Sequence, residues 1–466
     1  MSTRWAPARG LGVVVSAVFA LSLLPAAVLY LATDHIPGDT TVMVQHVRDV
    51  LGLIGKGHWT GWGGAFPLLQ QLESLPLVMA GLHDDTIYRS LVAVSALSLL
   101  GLAWWGGRSL GRRSRLVAGV FVAVVLAGPL VWYGHASFAE MLVALLTLGL
   151  VAALADGAGA PRVVLLMVAA AISKDTALPF LVLLALAAAW TASDAADPWH
   201  ARLRLVPITV AAMVALVVVV GFNFIQFGAF SNTHYLTTTY IVPTIAIQVR
   251  FFIAIWLSPN GGVLPFWPAY GALLALALAA AARDIRAAAG RGRLDVALPS
   301  VLVVAVLFGL TFGFSKWDSP LGWISWGPRL LIPWLPAAVY LLLAAHASGA
   351  ESLLGSLIRH RALAVGVVLA LALVSLPQYV ILFRPKLWDP LFAPDATCPR
   401  IPYIEQGADY YYRCTVHQLL TKHSVLLDAY QAHFDRTAFL LAAICAAAWA
   451  WFTATLAWRV APVPRR

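Results

Sequence analysis

Charge is what this chain has least of. Only 11% of its 466 residues are Asp, Glu, Lys or Arg, where soluble domains carry about 25%. With 61% hydrophobic residues and a mean hydropathy of +0.82, the chain cannot present the charged surface of a soluble globular domain. Several signatures are missing as well. There is no Walker A loop, no HExxH and no GxSxG, so the usual nucleotide-cradling, zinc-protease and serine-hydrolase machinery is absent. No repeat of 20–50 residues appears and no soluble catalytic domain is appended. The formal charge of +10 comes from basic residues scattered between apolar spans, without the single stripe that nucleic acid requires.

What is present is a series of long apolar runs. Stretches near the roughly 20 residues that cross a hydrocarbon core of about 30 Å occur at 10–32, 86–106, 116–134, 138–155, 162–173, 177–191, 204–223, 265–282, 296–314, 331–347, 362–383 and 437–457. The expected fold is therefore an all-α polytopic membrane protein of about twelve spans, one domain over 1–466. The runs 162–173 and 177–191 are short and read equally as one long kinked helix. Arg4 and Arg9, Arg108 to Arg115, Arg202 and Arg204, Arg283 to Arg293, Arg359 and Arg361, and Arg459 to Arg466 all fall on one side of a twelve-span count. The positive-inside rule makes that side cytoplasmic, both termini included. The first run is long and lacks a small-x-small cleavage site before Asp34, so it reads as an uncleaved span in the plasma membrane.

The opposite, extracytoplasmic side holds most of the irregular sequence. In the loop 33–85, Val47, Val50, Leu51 and Ile54 share one helical face, and Leu68, Leu72, Leu75 and Met79 share another. Each pattern suits a helix lying in the membrane interface or a loop helix packed on the bundle. The short run 248–257, ending at Ser258-Pro-Asn-Gly-Gly, reads as re-entrant or interfacial. Cys398 and Cys414 share the last outer loop, 384–436, where an oxidising setting lets them pair or remain two free thiols.

On this topology Asp34, His35, Asp39, His135, Glu140, Lys174, Asp175, Lys316, Asp318 and Arg329 gather at the outer boundary. Ionisable groups beside apolar spans are costly unless they are paired or line a wet cavity; each alone is also readable as an anchor or a snorkelling side chain. Lys174 and Arg329 can neutralise a phosphate, Lys as a point charge and Arg through a planar fork. Asp39 and Glu140 can take a proton from a hydroxyl or bind a divalent cation. The outer histidines show no tight metal spacing and read as loop residues. Trp59, Trp62 and Trp326 can stack on sugar rings or serve as interfacial belt residues. Gathering on one side suits an enzyme of lipid-linked substrates. A lipid or polysaccharide transporter or flippase, or an envelope-assembly scaffold, is the rival reading, and a transporter would show broken helix pairs in matching halves.

Four stretches carry a family resemblance: Gly38-Asp39 after the first span, Ser137-Phe-Ala-Glu140 opening the fourth, Ala170-Ala-Ile-Ser-Lys-Asp-Thr-Ala-Leu-Pro179, and the pair Leu257 to Pro268 and Trp326 to Pro336. Together, over roughly residues 10–380, they resemble the GT-C class of polyprenyl-phosphate-sugar-dependent glycosyltransferases, which includes protein mannosyltransferases, aminoarabinose transferases and arabinofuranosyltransferases. The resemblance implies a GT-C-type bundle and a catalytic first outer loop with Asp39 as general base. It implies that Lys174 and Arg329 bind the donor phosphate, with Glu140, Asp34 and His35 orienting the acceptor or a metal. The partners it implies are a polyprenyl-phosphate-linked sugar, a cell-envelope glycan, lipid or protein acceptor, and membrane lipids, with no nucleic acid. The chain departs from the class in the spacing of its first-loop acids, Asp34 lying five positions before Asp39, and in lacking a large carbohydrate-binding domain.

Overall fold

A computed structural model describes residues 40–370 apart from 64–66, 128–129, 135, 138, 175–176, 193–197, 232–243, 259–260, 318–326, 361–365 and 368–369. The expected spans 10–32 and 437–457, nearly all of 362–383, and the loop 384–436 with Cys398 and Cys414 lie outside these residues. So do Asp34, His35, Asp39, His135, Asp175, Asp318 and Trp326.

Every element among the described residues is helical. Two loop helices, α1 (Thr40–Gly55) and α2 (Leu68–Met79), precede α3 (Asp84–Gly111), α4 (Arg115–Ala127) and the short α5 (Leu130–Tyr133). There follow α6 (Glu140–Ala155), α7 (Ala160–Ala171), α8 (Leu178–Thr191), α9 (Pro198–Phe227), α10 (Ile245–Leu257) and α11 (Val263–Phe266). The described part closes with α12 (Pro268–Ala289), α13 (Leu298–Phe314), α14 (Leu335–Ala345) and α15 (Ala347–Arg359). Asp84–Gly111, Leu205–Phe227 and Asp295–Phe314 are each long and apolar enough to cross a membrane, and α14 with α15 passes as one span bent by 91°. The 28 residues of α3 make it about 42 Å long. The run 162–191 is two helices separated by a break at 172–177, not one kinked helix.

The core sits around α6, whose side chains from Val143 to Ala155 are buried on almost every face. Such a helix can only be central. Close approach is made by small residues: a Cβ on Gly149 would meet the Trp105 ring at 2.5 Å, and one on Gly106 would meet Phe121 at 2.4 Å. This is the packing that membrane helices use when apolar transfer no longer drives association. At the periphery, α9 exposes Val206, Met213 and Val217 at 58–71%, an apolar outer face that suits lipid.

Successive bundle helices alternate in direction, so the bundle has two distinct ends. One end carries arginines. There Arg113 donates to the carbonyls of Ala155 (3.0 Å) and Ala344 (2.6 Å), the final residue of α6 and the penultimate residue of α14. Arg112 pairs with Asp156 at 3.1 Å, and Ser109 joins Asp156 to the buried Tyr340 hydroxyl. Also at this end, His346 occupies the elbow between α14 and α15, its Nε2 2.8 Å from Ser300 Oγ and its Nδ1 3.3 Å from Asp284 Oδ2. The other end receives the start of α6 and the loops before α8 and α14.

The loop helices sit at that second end and differ in orientation. On α1, Met43, Val44, Val47 and Val50 are buried, and Met43 and Val44 pack with Ile87 and Leu91 of α3. On α2, Leu72 and Met79 are exposed while Gln71 and Ser74 are buried. Leu77 and Val78 pack against α1 and α3, so the helix carries apolar residues on both its inner and its outer side.

Candidate functional site

Glu140 is the first residue of α6, so its carboxylate lies at a helix N-terminus, where the macrodipole favours negative charge. The residue is 4% exposed. Two cations converge on its Oε1 from segments remote in sequence. Lys174 Nζ is 3.8 Å away, from the loop between α7 and α8, and Arg329 Nε is 3.3 Å away, from the 3-10 turn Arg329–Leu331. Both cationic side chains are themselves largely buried, at 21% and 13% exposure. Charges so far out of water are tolerable only when matched, and here two positive groups share one negative group.

Local backbone geometry explains how Arg329 reaches this point. Gly327 has φ +79, and a Cβ there would meet Trp267 Nε1 at 2.5 Å. Only glycine serves where the chain is both left-handed and pressed against a ring. The amide of Arg329 then donates to the Gly327 carbonyl at 2.9 Å, closing the tight turn. Trp267 in turn meets Tyr133 edge to face at 6.3 Å.

The chain entering α1 is tied to the same place. Thr40 Oγ1 donates to the Ser137 carbonyl at 2.6 Å, three residues before Glu140 and one after Asp39. Beside this contact lies a cleft of about 20 Å³ lined by Thr40, Met43, Gln70, Glu73, Leu91, Ser95, Ser137 and Ala139. Glu73 was not singled out by sequence reasoning, because on an amphipathic loop helix a glutamate reads as a solvated charge. Its Oε1 is buried without a hydrogen-bond partner. Burial first, and the nearby Glu140 charge second, push its carboxyl up from 4.5 to about 8, so it is neutral at pH 7.

The expected residues therefore divide. Glu140, Lys174 and Arg329 come together, but Lys174 and Arg329 engage Glu140 instead of standing as an open cationic pair. Trp59 is 65% exposed, and the Trp62 indole donates to the His58 carbonyl; neither takes part in the Glu140 ion pairs. Lys316 is exposed. Among the described residues no group of three or more His, Cys, Asp or Glu can hold a metal ion, and Glu140 is already matched by two cations. The arrangement holds a buried carboxylate between two cations, near a cleft with a neutral carboxylic acid in its wall.

No protein-family model matches the chain, and no curated protein matches it significantly. Among solved structures, ArnT from Cupriavidus metallidurans in the apo state matches with a TM-score of 0.47 at 16% identity, covering 97% of this chain and 78% of that one. A likeness at that level decides neither family nor activity.

Proposed function

We propose that this chain is a membrane glycosyltransferase of the GT-C type, moving a sugar from a polyprenyl-phosphate donor to a hydroxyl of a cell-envelope glycan, lipid or protein on the extracytoplasmic side. The observation that carries the reading is the convergence of Lys174 and Arg329 on the buried Glu140 carboxylate, 3.8 and 3.3 Å away. Both cations reach a single carboxylate, an arrangement of fixed positive groups that suits a phosphate. The guanidinium fork suits a phosphate's geometry as well as a carboxylate's. An anion seat at the edge of an apolar bundle suits a head group whose tail stays in lipid.

In this reading the donor phosphate takes its place on Lys174 and Arg329, and the acceptor arrives from water. Asp39, the residue before Thr40, accepts the acceptor's hydroxyl proton as that oxygen attacks the anomeric carbon from the face opposite the phosphate. One carbon–oxygen bond forms as the bond to the phosphate breaks, and the configuration inverts. The bond's electron pair leaves on the phosphate, where two preorganised cations stabilise it; electrostatic terms of this kind often dominate catalysis. The hydrogen bond from Thr40 to Ser137 supports this role, because it ties the residue next to Asp39 to the segment that opens into Glu140.

The test is reconstitution in proteoliposomes with a polyprenyl-phosphate sugar. Asp39→Asn is expected to bind the lipid phosphate as the native protein does and to transfer no sugar. Near-native transfer by that variant would overturn the assignment of the base.

A further inference from the structure

Three features of the cleft beside Glu140 remain unused by the mechanism above. Its volume of about 20 Å³ admits one water-sized group and no more. Its walls combine Gln70, Glu73, Ser95, Ser137 and Thr40 with the apolar Met43, Leu91 and Ala139, and among the described residues no cation lines it. Among the described residues the buried Glu73 Oε1 has no hydrogen-bond partner, a state that structures rarely leave unexplained. Leu72 and Met79 of α2 are on the exposed side, whereas this acid is turned inward.

We propose that Glu73 is a sugar-binding residue, whose carboxyl exchanges a hydrogen bond with one hydroxyl of the sugar carried on the lipid phosphate. A hydroxyl has the size the cleft admits, and it can both donate and accept, as the carboxylic acid can. The inference rests on the transferase reading, because the sugar hydroxyl reaches this cleft when the phosphate beside it occupies Lys174 and Arg329. A neutral acid also selects the substrate: a sugar carboxylate placed there would face Glu73 and Glu140 without a cation of its own.

Glu73 holds its proton because of burial and the Glu140 charge. His46, Arg48 and Asp49 on α1 and Asp84, Asp85 and Arg89 on α3 lie on the elements packed around α2, and none of them moves it. Lys174 is spent on Glu140. A raised carboxyl pKa means that between pH 4.5 and about 8 the folded chain holds a proton the unfolded chain has released. The neutral form, and with it the proposed contact, is complete at low pH and is lost as pH rises through about 8.

The experiment compares the native protein, Glu73→Gln and Glu73→Ala in proteoliposomes, measuring transfer across pH and binding of polyprenyl phosphate with and without its sugar. The native rate is expected to fall about tenfold from pH 7 to pH 9, following the protonated fraction. Glu73→Gln, which keeps a neutral hydrogen-bonding group, should stay flat over that interval. Glu73→Ala should weaken binding of the sugar-bearing lipid by about tenfold, the loss of one hydrogen-bonded hydroxyl, and leave the bare lipid phosphate unaffected. Independently of activity, a hydrophobic carbodiimide, which reacts with protonated carboxyls, should modify Glu73 at pH 7 and be blocked by the sugar-bearing lipid. An alkaline fall shared by Glu73→Gln, or unblocked modification while the lipid is bound, overturns the role of Glu73. Failure of the native protein to bind either lipid overturns the transferase reading instead.

Discussion

Glu140 shows how much depends on one carboxylate. Its removal takes from two largely buried cations the carboxylate they share, and breaking a buried ion pair from one side costs about 3–5 kcal/mol. Glu140→Gln is therefore expected to lower the unfolding temperature in membranes, read by thermal-shift assay. If the carboxylate occupies an anion seat, polyprenyl phosphate should return much of that loss, since a ligand at a hundred times its Kd stabilises by about 2.7 kcal/mol. A variant as stable as the native chain, or one indifferent to the lipid phosphate, would contradict the shared seat. Glu140, Lys174 and Arg329 were legible in the sequence because a charge inside an apolar run must find a partner. Their mutual engagement was not, since it depends on how Gly327 turns the chain against Trp267. Glu73 was hidden by its setting: its value comes from which face of α2 points inward, and periodicity marks an apolar face without saying whether protein or lipid covers it.

Among the elements, α6 and α14 share a single terminus-holding residue. Arg113 satisfies carbonyls at the ends of both, at Ala155 and Ala344, where a helix otherwise leaves its last acceptors orphaned. Arg113→Ala strips both, at about 1–3 kcal/mol for each buried acceptor left unmade. Hydrogen exchange should then quicken around Ala155 and Ala344 while the amides of 140–145 keep their protection; uniform loss along α6 would refute the local role. The helices themselves were largely readable from apolar runs, and α3, α9 and α13 match 86–106, 204–223 and 296–314 within a few residues. At 172–177 the apolar pattern continues on both sides of a break, and Lys174, in that break, reaches Glu140. The α14–α15 elbow was invisible because its cause is the pairing of His346 with Ser300 and Asp284, residues from two other helices.

Among the described residues, the Glu140 seat and the Arg112–Arg113 knot lie at opposite ends of α6. Asymmetry of basic loops was the strongest large-scale signal in the sequence, and labelling from the two sides of the membrane tests the orientation it predicts. In a background without the native cysteines, Lys316→Cys is expected to react with a membrane-impermeant thiol reagent in intact cells. Arg291→Cys should react only after permeabilisation. The reverse pattern would place the Glu140 seat on the cytoplasmic side and exclude an extracytoplasmic acceptor.

The knot of Arg112, Arg113, Asp156, Ser109 and Tyr340 has one more consequence. Between it and the Glu140 seat, α6 is filled with Leu148, Leu150, Val151 and Ala152, all with no exposed surface. Among the described residues, a polar head group at the seat therefore meets apolar packing on the α6 side, a shape in which a substrate is held and altered where it enters.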